Sequence, residues 1–192
     1  MESTYKLKLQ SQMFIVRELW TSAVVLFIGY LVMVYFYPWG KSIFTEFFVG
    51  GYLTFQIIPC VIVHYQYLKY NKDTVLTVNA SERTMTIKEK GVEHSFSFDQ
   101  IKGIRLALMA DLYNGHEGGL VAFIRYHYAY IETQGNEKFI ITCLLFSDLR
   151  LLFKDIGLSF RKDRVLFPTI RMGRYKKDPT PPVEERSVRG AA

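Results

Sequence analysis

Two long stretches of this chain have no charge at all. Between Glu18 and Lys41, and again between Glu46 and Lys69, 22 consecutive residues include no Asp, Glu, Lys or Arg. Sulfur and imidazole are scarce too. Two cysteines, Cys60 and Cys143, cannot set a disulfide framework. One lies in the second charge-free run and the other in an expected core strand, so they are not expected to meet, and a reducing compartment fits. Two cysteines and four histidines are too scattered for zinc-ligand spacing, so no metal and no cofactor is expected. The chain also lacks a Walker loop, G-x-S-x-G, H-E-x-x-H and C-x-x-C. With no catalytic motif, the sequence reads as a non-enzyme.

The charge-free runs are the strongest positive signal. A helix needs about 20 mainly apolar residues to cross roughly 30 Å of hydrocarbon. The first run, from Leu19 to Trp39, has Trp20 at one end and Tyr35, Tyr37 and Trp39 at the other, where amphipathic rings favour a membrane interface. Its apolar part is longer than a signal peptide's, and bulky rings stand where a cleavage site would need small residues. The second, from Phe47 to Leu68, contains Pro59, expected to kink it, and Gln56, expected to help satisfy freed backbone groups. The connection, Lys41 to Glu46, is short enough to make the two helices antiparallel neighbours. Three basic residues precede the hairpin (Lys6, Lys8, Arg17), one lies in the connection, and twenty follow. Basic residues stay on the cytoplasmic side, so both ends are expected there.

After Thr74 the pattern changes to alternation. Thr74–Asn79, Thr84–Lys90, Val92–Phe98, Ile101–Leu108, Leu120–Thr133 and Lys138–Leu145 read as strands, with turns at Asn79–Glu82, Gly91 and Gln134–Asn136. Met109–Gly119 reads as a loop. Leu149, Leu152, Phe153 and Ile156 then fall on one helical stripe, with Ser147 placed to cap it and Gly157 to end it. The organisation is a cytoplasmic segment over 1–18, a transmembrane hairpin over 19–70, a β-rich domain over 71–173, and a proline-containing tail over 174–192 with little to bury. The fold class is membrane α plus a soluble α+β domain.

Meandering strands closed by one helix resemble a pleckstrin-homology-like (PH-like) domain, an antiparallel β-barrel or sandwich. The stretch from Thr74 to Leu106, TVLTVNASERTMTIKEKGVEHSFSFDQIKGIRL, is similar to membrane-tethered bacterial PH-like families in which two transmembrane helices precede the strands. Asp99-Gln100-Ile101 takes the place of the short D-x-I motif that enters the next strand. The resemblance covers about residues 10–160 and implies a binding module in a bacterial cytoplasmic (inner) membrane. One departure is a strand count of six against the family's seven; the seventh either lies in Met109–Val121 or is absent.

Two stretches are site candidates. Arg161, Lys162, Arg164, Arg171, Arg174, Lys176 and Lys177 make a basic segment with one acid, Asp163. Near an anionic leaflet each such charge is worth about 1 kcal/mol; the alternative is a solvated tail. A net charge of +6 without an RNA or DNA motif argues against nucleic acid. The loop Asp111–Gly119 offers Asp111, His116 and Glu117 as possible ligand or metal contacts, with glycines that let a ligand approach; the alternative is a plain surface loop. His64 reads as an interfacial residue, and His94 and His127 as strand residues on half-buried faces. The sequence thus points to a membrane-anchored module that binds a protein partner, its own copies or anionic lipid. The competing reading is an accessory subunit of a membrane enzyme or transport complex using the 111–119 loop, although two spans offer no paired intramembrane charges and no pathway.

Overall fold

The computed structural model describes residues 2–7, 9–37, 41–116 and 122–170, apart from the side chains at 9–11, 14–16, 41, 42 and 44. The chain begins with a strand, β1 (Glu2–Lys6), and then runs through the helices α1 (Leu9–Phe36), α2 (Lys41–Tyr52) and α3 (Ile58–Asn71). Strands β2 (Thr74–Asn79), β3 (Thr84–Glu89), β4 (Val92–Ser97) and β5 (Ile101–Met109) follow. After a helical turn α4 (Ala110–Tyr113) come β6 (Tyr128–Thr133), β7 (Lys138–Thr142), the helix α5 (Leu149–Asp155) and β8 (Arg161–Val165).

The strands form two four-stranded sheets, in the orders β1-β2-β3-β4 and β7-β6-β5-β8. β1 lies antiparallel to β2, from Glu2 opposite Asn79 to Lys6 opposite Val75. The two long helices are therefore an insertion between the first and second strands of one domain, and the N-terminal segment is part of its sheet. β1 is a strand that the sequence reading did not count. The stretch where it sought one begins as α4, and its residues 117–121 lie outside the described residues. β8 was also uncounted and runs parallel to β5, from Arg161 opposite Arg105 to Val165 opposite Met109.

Local chemistry explains the turns and caps. Lys90 (φ 50°) and Gly91 (φ 86°) both adopt positive φ, the requirement of a two-residue type I′ hairpin between β3 and β4. The helix α5 starts at Asp148, one residue after the expected Ser147; its carboxylate accepts from the Arg150 amide at 2.9 Å. It ends in a Schellman motif, with the Leu158 amide donating to Phe153 O and the Gly157 amide to Lys154 O, Gly157 supplying φ 71°. Between the sheets lies one core. Leu76, Met85 and Ile87 meet Leu106, Ile131 and Ile141, and Leu149, Leu152 and Phe153 of α5 close the end. Phe96 stacks on Phe139 at 5.6 Å, joining β4 to β7, and Tyr5 of β1 meets Phe146, beyond the end of β7, edge-on at 5.1 Å.

The two inserted helices are long and apolar enough to cross a membrane by length and composition, over Arg17–Phe36 and Thr45–Asn71. They are not core helices, because only 6% and 17% of their most apolar stretches are buried. Their contact is aromatic. The Phe48 ring lies 5.4 Å from Tyr30 and 6.4 Å from Phe27, Tyr30 hydrogen-bonds Thr45 at 2.9 Å, and Tyr52 donates to Leu19 O at 2.6 Å. Two expectations are corrected here, for Lys41–Glu46 and Leu120–Thr133, and the surroundings of Pro59 are defined. Lys41–Glu46 is the start of α2 rather than a connection. Pro59 follows a π-helical turn, Leu53–Ile57, in which the Ile58 amide reaches back to Leu53 O; the wider turn precedes the residue that has no amide to give. Leu120–Thr133 is not one strand: Ala122–Arg125 is a 3-10 turn and only Tyr128–Thr133 is extended.

Candidate functional site

Three of the sequence-predicted basic residues are among the described residues. Arg161, Lys162 and Arg164 lie on β8, an exposed edge strand, and Arg161 is engaged by Asp163 at 3.2 Å. Arg171, Arg174, Lys176 and Lys177 lie outside the described residues. Of the 111–119 candidates, Asp111 and His116 are among the described residues. Asp111 is in α4, and its link to His116 is a backbone one, with the His116 amide donating to Asp111 O at 2.9 Å. Gly115 takes φ 84° to end that turn, and Glu117, Gly118 and Gly119 lie outside the described residues. Among the described residues no three His, Cys, Asp or Glu side chains group to hold a metal ion.

The densest set of specific contacts lies where α3 meets the second sheet. Gln56, Cys60, Val63, Tyr67 and Asn71 are buried, spaced at helical period on one face. Gln56 Oε1 accepts from the Ala122 amide at 3.0 Å, and this fixes the 3-10 turn against the helix. Gln56 was expected to help satisfy backbone groups freed by Pro59; its side-chain oxygen reaches across to the domain. Gln66 clamps both backbone groups of Ile170, donating to its carbonyl and accepting from its amide at 3.0 Å each. Tyr67 donates to Pro168 O at 2.8 Å. Asn71 acts as an extra strand residue beside β7, donating to Ile140 O at 3.0 Å and accepting from the Thr142 amide at 2.8 Å. An edge strand's free backbone is thereby satisfied by a helix side chain.

Inside the seam, Tyr126 meets Tyr67 edge-on at 5.2 Å, and its hydroxyl is 3.1 Å from His64 Nδ1. The interfacial role expected for His64 thus becomes a contact with the domain. Burial raises the Tyr126 pKa, and the neighbouring Cys60 and Cys143 thiols add to the rise. The two cysteines, expected to stay apart, share this cluster as buried free thiols. Burial pushes Cys143 up to about 12, so it is an inert thiol at neutral pH. His127 is buried, not half-buried: its Nδ1 donates to Arg125 O at 2.8 Å and its Nε2 accepts from the Leu149 amide at 3.1 Å. Next to it, burial pushes the Asp148 carboxyl up, but the Arg150 guanidinium, 2.6 Å away, more than offsets this and holds it below the ordinary value. His94 is the half-buried one, 3.2 Å from Glu137.

On α1, Glu18 takes Arg125 of the 3-10 turn at 3.2 Å and its neighbour Arg17 at 3.4 Å. The turn is thus held on two sides, by α1 and by the second helix. The sequence did hold a signal for the seam: Gln56, Gln66 and Tyr67 are polar groups along one side of a run otherwise suited to lipid, and Asn71 follows just past its end. The arrangement fixes the helix α3 and the 3-10 turn against the second sheet.

No curated protein and no solved structure matches the chain. The family model that does match is that of the PH domain, over residues 4–154, from within β1 through both inserted helices to α5. The chain belongs to the PH domain family.

Proposed function

We propose that this is a membrane-anchored, non-enzymatic interaction module. The inserted helices cross the bilayer as a hairpin and hold the PH domain at the cytoplasmic face of a bacterial inner membrane. There it binds anionic lipid, a protein partner or its own copies. The observation that carries this reading is the insertion itself. An exposed apolar hairpin leaves the domain between β1 and β2 and is locked to it by Gln56, Gln66, Tyr67 and Asn71. A domain so fixed has one orientation relative to its anchor. The asymmetry of basic residues supports the cytoplasmic side. In intact cells, Ser42→Cys near the hairpin tip should react with an impermeant thiol reagent, while Ser81→Cys in the β2–β3 turn should not. The reverse pattern would sink the topology, and labelling of both would sink the anchor.

Among ligands, the charge supports anionic lipid. β8 presents Arg161, Lys162 and Arg164 on an exposed edge and ends one residue before Leu166, next to the base of the hairpin. The full chain should be more stable in anionic than in neutral nanodiscs. Replacing Arg161, Lys162 and Arg164 with Gln should remove that difference, at about 1 kcal/mol per residue that reaches the surface. Salt should remove it too, since the screening length falls to about 3 Å at 1 M. Lys substitutions should preserve it. No difference between the two lipids at low salt would turn the reading to a protein partner.

A further inference from the structure

We infer that the PH domain is partly sunk into the bilayer's interfacial layer, with Phe123, Phe167 and Leu166 as the side chains that enter it. This rests on the membrane-anchored reading above. The second helix carries no charge from Phe47 to Leu68, and on its outer side Phe55, Ile58, Val61, Ile62 and Tyr65 are all exposed. On its inner side the domain covers Gln56, Cys60, Val63 and Tyr67. The lipid-compatible run and the domain-covered face therefore coincide from Gln56 to Leu68, about 18 Å of helix. Along that length one side of the helix calls for an apolar medium while the other touches the domain, so bilayer and domain occupy the same level.

Helix length gives the same answer. The charge-free run of α1 ends at Leu19, which Tyr52 of the second helix meets, and Gln56, where the domain begins, lies only about 6 Å further along; the interfacial layer adds about 5–7 Å. The part of the domain at that level is the 3-10 turn Ala122–Arg125, fixed by Gln56 on one helix and Glu18 on the other. Within the turn, Phe123 packs on Phe167 with ring centroids 5.2 Å apart. Leu166, beside Phe167, is 90% exposed, more than any other large apolar side chain among the described residues. One exposed leucine needs no explanation. Next in sequence to Phe167, and with Phe123 and Phe167 themselves only half-buried against the cluster under α3, it gives this end of the domain an apolar edge suited to the headgroup–acyl boundary. The turn's cation, Arg125, is met by Glu18 at 3.2 Å, so the edge enters without an uncompensated charge.

The test uses the full chain in liposomes with an environment-sensitive fluorophore on one introduced cysteine at a time: Leu166→Cys, Val32→Cys in α1, or Ser81→Cys in the β2–β3 turn. Cys60 and Cys143 are buried and do not compete in the folded protein. Lipids carrying spin labels at the headgroup or deep in the acyl chain serve as quenchers. The inference expects blue-shifted emission at Leu166→Cys that is quenched most by the shallow label, quenching of Val32→Cys by the deep label, and neither effect at Ser81→Cys. Quenching at Val32→Cys without quenching at Leu166→Cys overturns the immersed domain and leaves the anchor standing. A blue shift at Leu166→Cys that no lipid quencher touches means that a protein surface covers this edge, and overturns the inference equally. No quenching at Val32→Cys removes the anchor, and the inference with it.

Discussion

The two sheets of this domain are built from strands of similar length, yet they bury different numbers of faces. The sheet β1-β2-β3-β4 has one face in the core and one outside. Its burial alternates along β2 and β3, and the outer face carries Thr4, Thr77, Thr86 and Ser95 in a single row of the register. Those hydroxyls bond each other, Thr4 to Thr77 at 3.3 Å and Thr86 to Ser95 at 3.0 Å. In the sheet β7-β6-β5-β8 the strands β6 and β7 are covered on both faces. In β6 and β7 nearly every residue is buried, because Ile131 and Ile141 face the barrel core while Tyr128, Tyr130 and Ile140 face the cluster under α3. A sheet with one wet face alternates, and a sheet covered on both sides reads as continuous apolar sequence. The difference teaches that the inserted hairpin is a structural layer of the PH domain as well as an extension from it.

The largest effect should come from the core that both sheets share. Phe153→Ala empties a fully buried site under α5, and such truncations cost about 3–5 kcal/mol. Denaturant unfolding in mild detergent should show both sheets destabilised together, with new protease-sensitive sites. Lys154→Ala on the exposed side of α5, and Thr86→Ala on the outer face of the first sheet, should each stay within about 0.5 kcal/mol of the parent. If Thr86→Ala proves as costly as Phe153→Ala, the one-faced description of the first sheet is wrong. The next effect should separate the sheets. Asn71→Ala leaves the Ile140 carbonyl and the Thr142 amide without their side-chain partner, at about 1–3 kcal/mol for each buried group left unmade. Hydrogen exchange should quicken at the Thr142 amide and leave the Thr86 amide unchanged. Equal loosening of both would mean that α3 stabilises the whole barrel and not one face of one sheet.

The same contrast explains what could be read from the sequence. β2, β3 and β4 were legible within a residue because a half-wet strand prints its period directly, and the α5 stripe with Gly157 was legible for the same reason. β1 was not, since its five residues gain a partner only across some 70 intervening residues, and a short polar-apolar strand before a hairpin carries no local sign of that pairing. β8 was hidden by its charges, Arg-Lys-Asp-Arg, which suit an edge strand as well as a solvated tail. The error over Leu120–Thr133 was tertiary: β-favouring residues at 122–125 are drawn into a tight turn by Gln56 and Glu18. Of the proposed site, the basic residues on β8 were legible as charge. The seam was not, although its polar residues stood along one side of an apolar run or just past its end.

The smallest expected effect is a pH dependence confined to the two-faced sheet, and it turns on His127. This side chain joins the start of β6 to the start of α5. Accepting from the Leu149 amide requires a bare Nε2, and donating to Arg125 O requires the proton on Nδ1, so the ring is held as one neutral tautomer. Burial lowers its pKa from the ordinary 6.5, against the Arg125 carbonyl and the Asp148 charge that pull it up, while Arg150 adds to the fall. Between the lowered value and 6.5 the unfolded chain binds a proton that the folded chain refuses. Stability is therefore complete above pH 6.5 and is lost as pH falls below it, at no more than about 1.4 kcal/mol per pH unit for one proton. Asp148, held below its ordinary 3.8, contributes a loss of the same sign only in more acidic solution, below the range in which His127 is first felt. Between about pH 7.5 and about pH 5.5 the parent should lose unfolding free energy that His127→Gln does not lose, because a glutamine amide can donate and accept but cannot titrate. Amide exchange should quicken first at Leu149 and Cys143, whose amides bond His127 directly, with β2 and β3 following only at global unfolding. An identical pH slope in parent and variant would remove His127 as the titrating group. Early exchange in β2 and β3 would remove the claim that the second sheet responds separately.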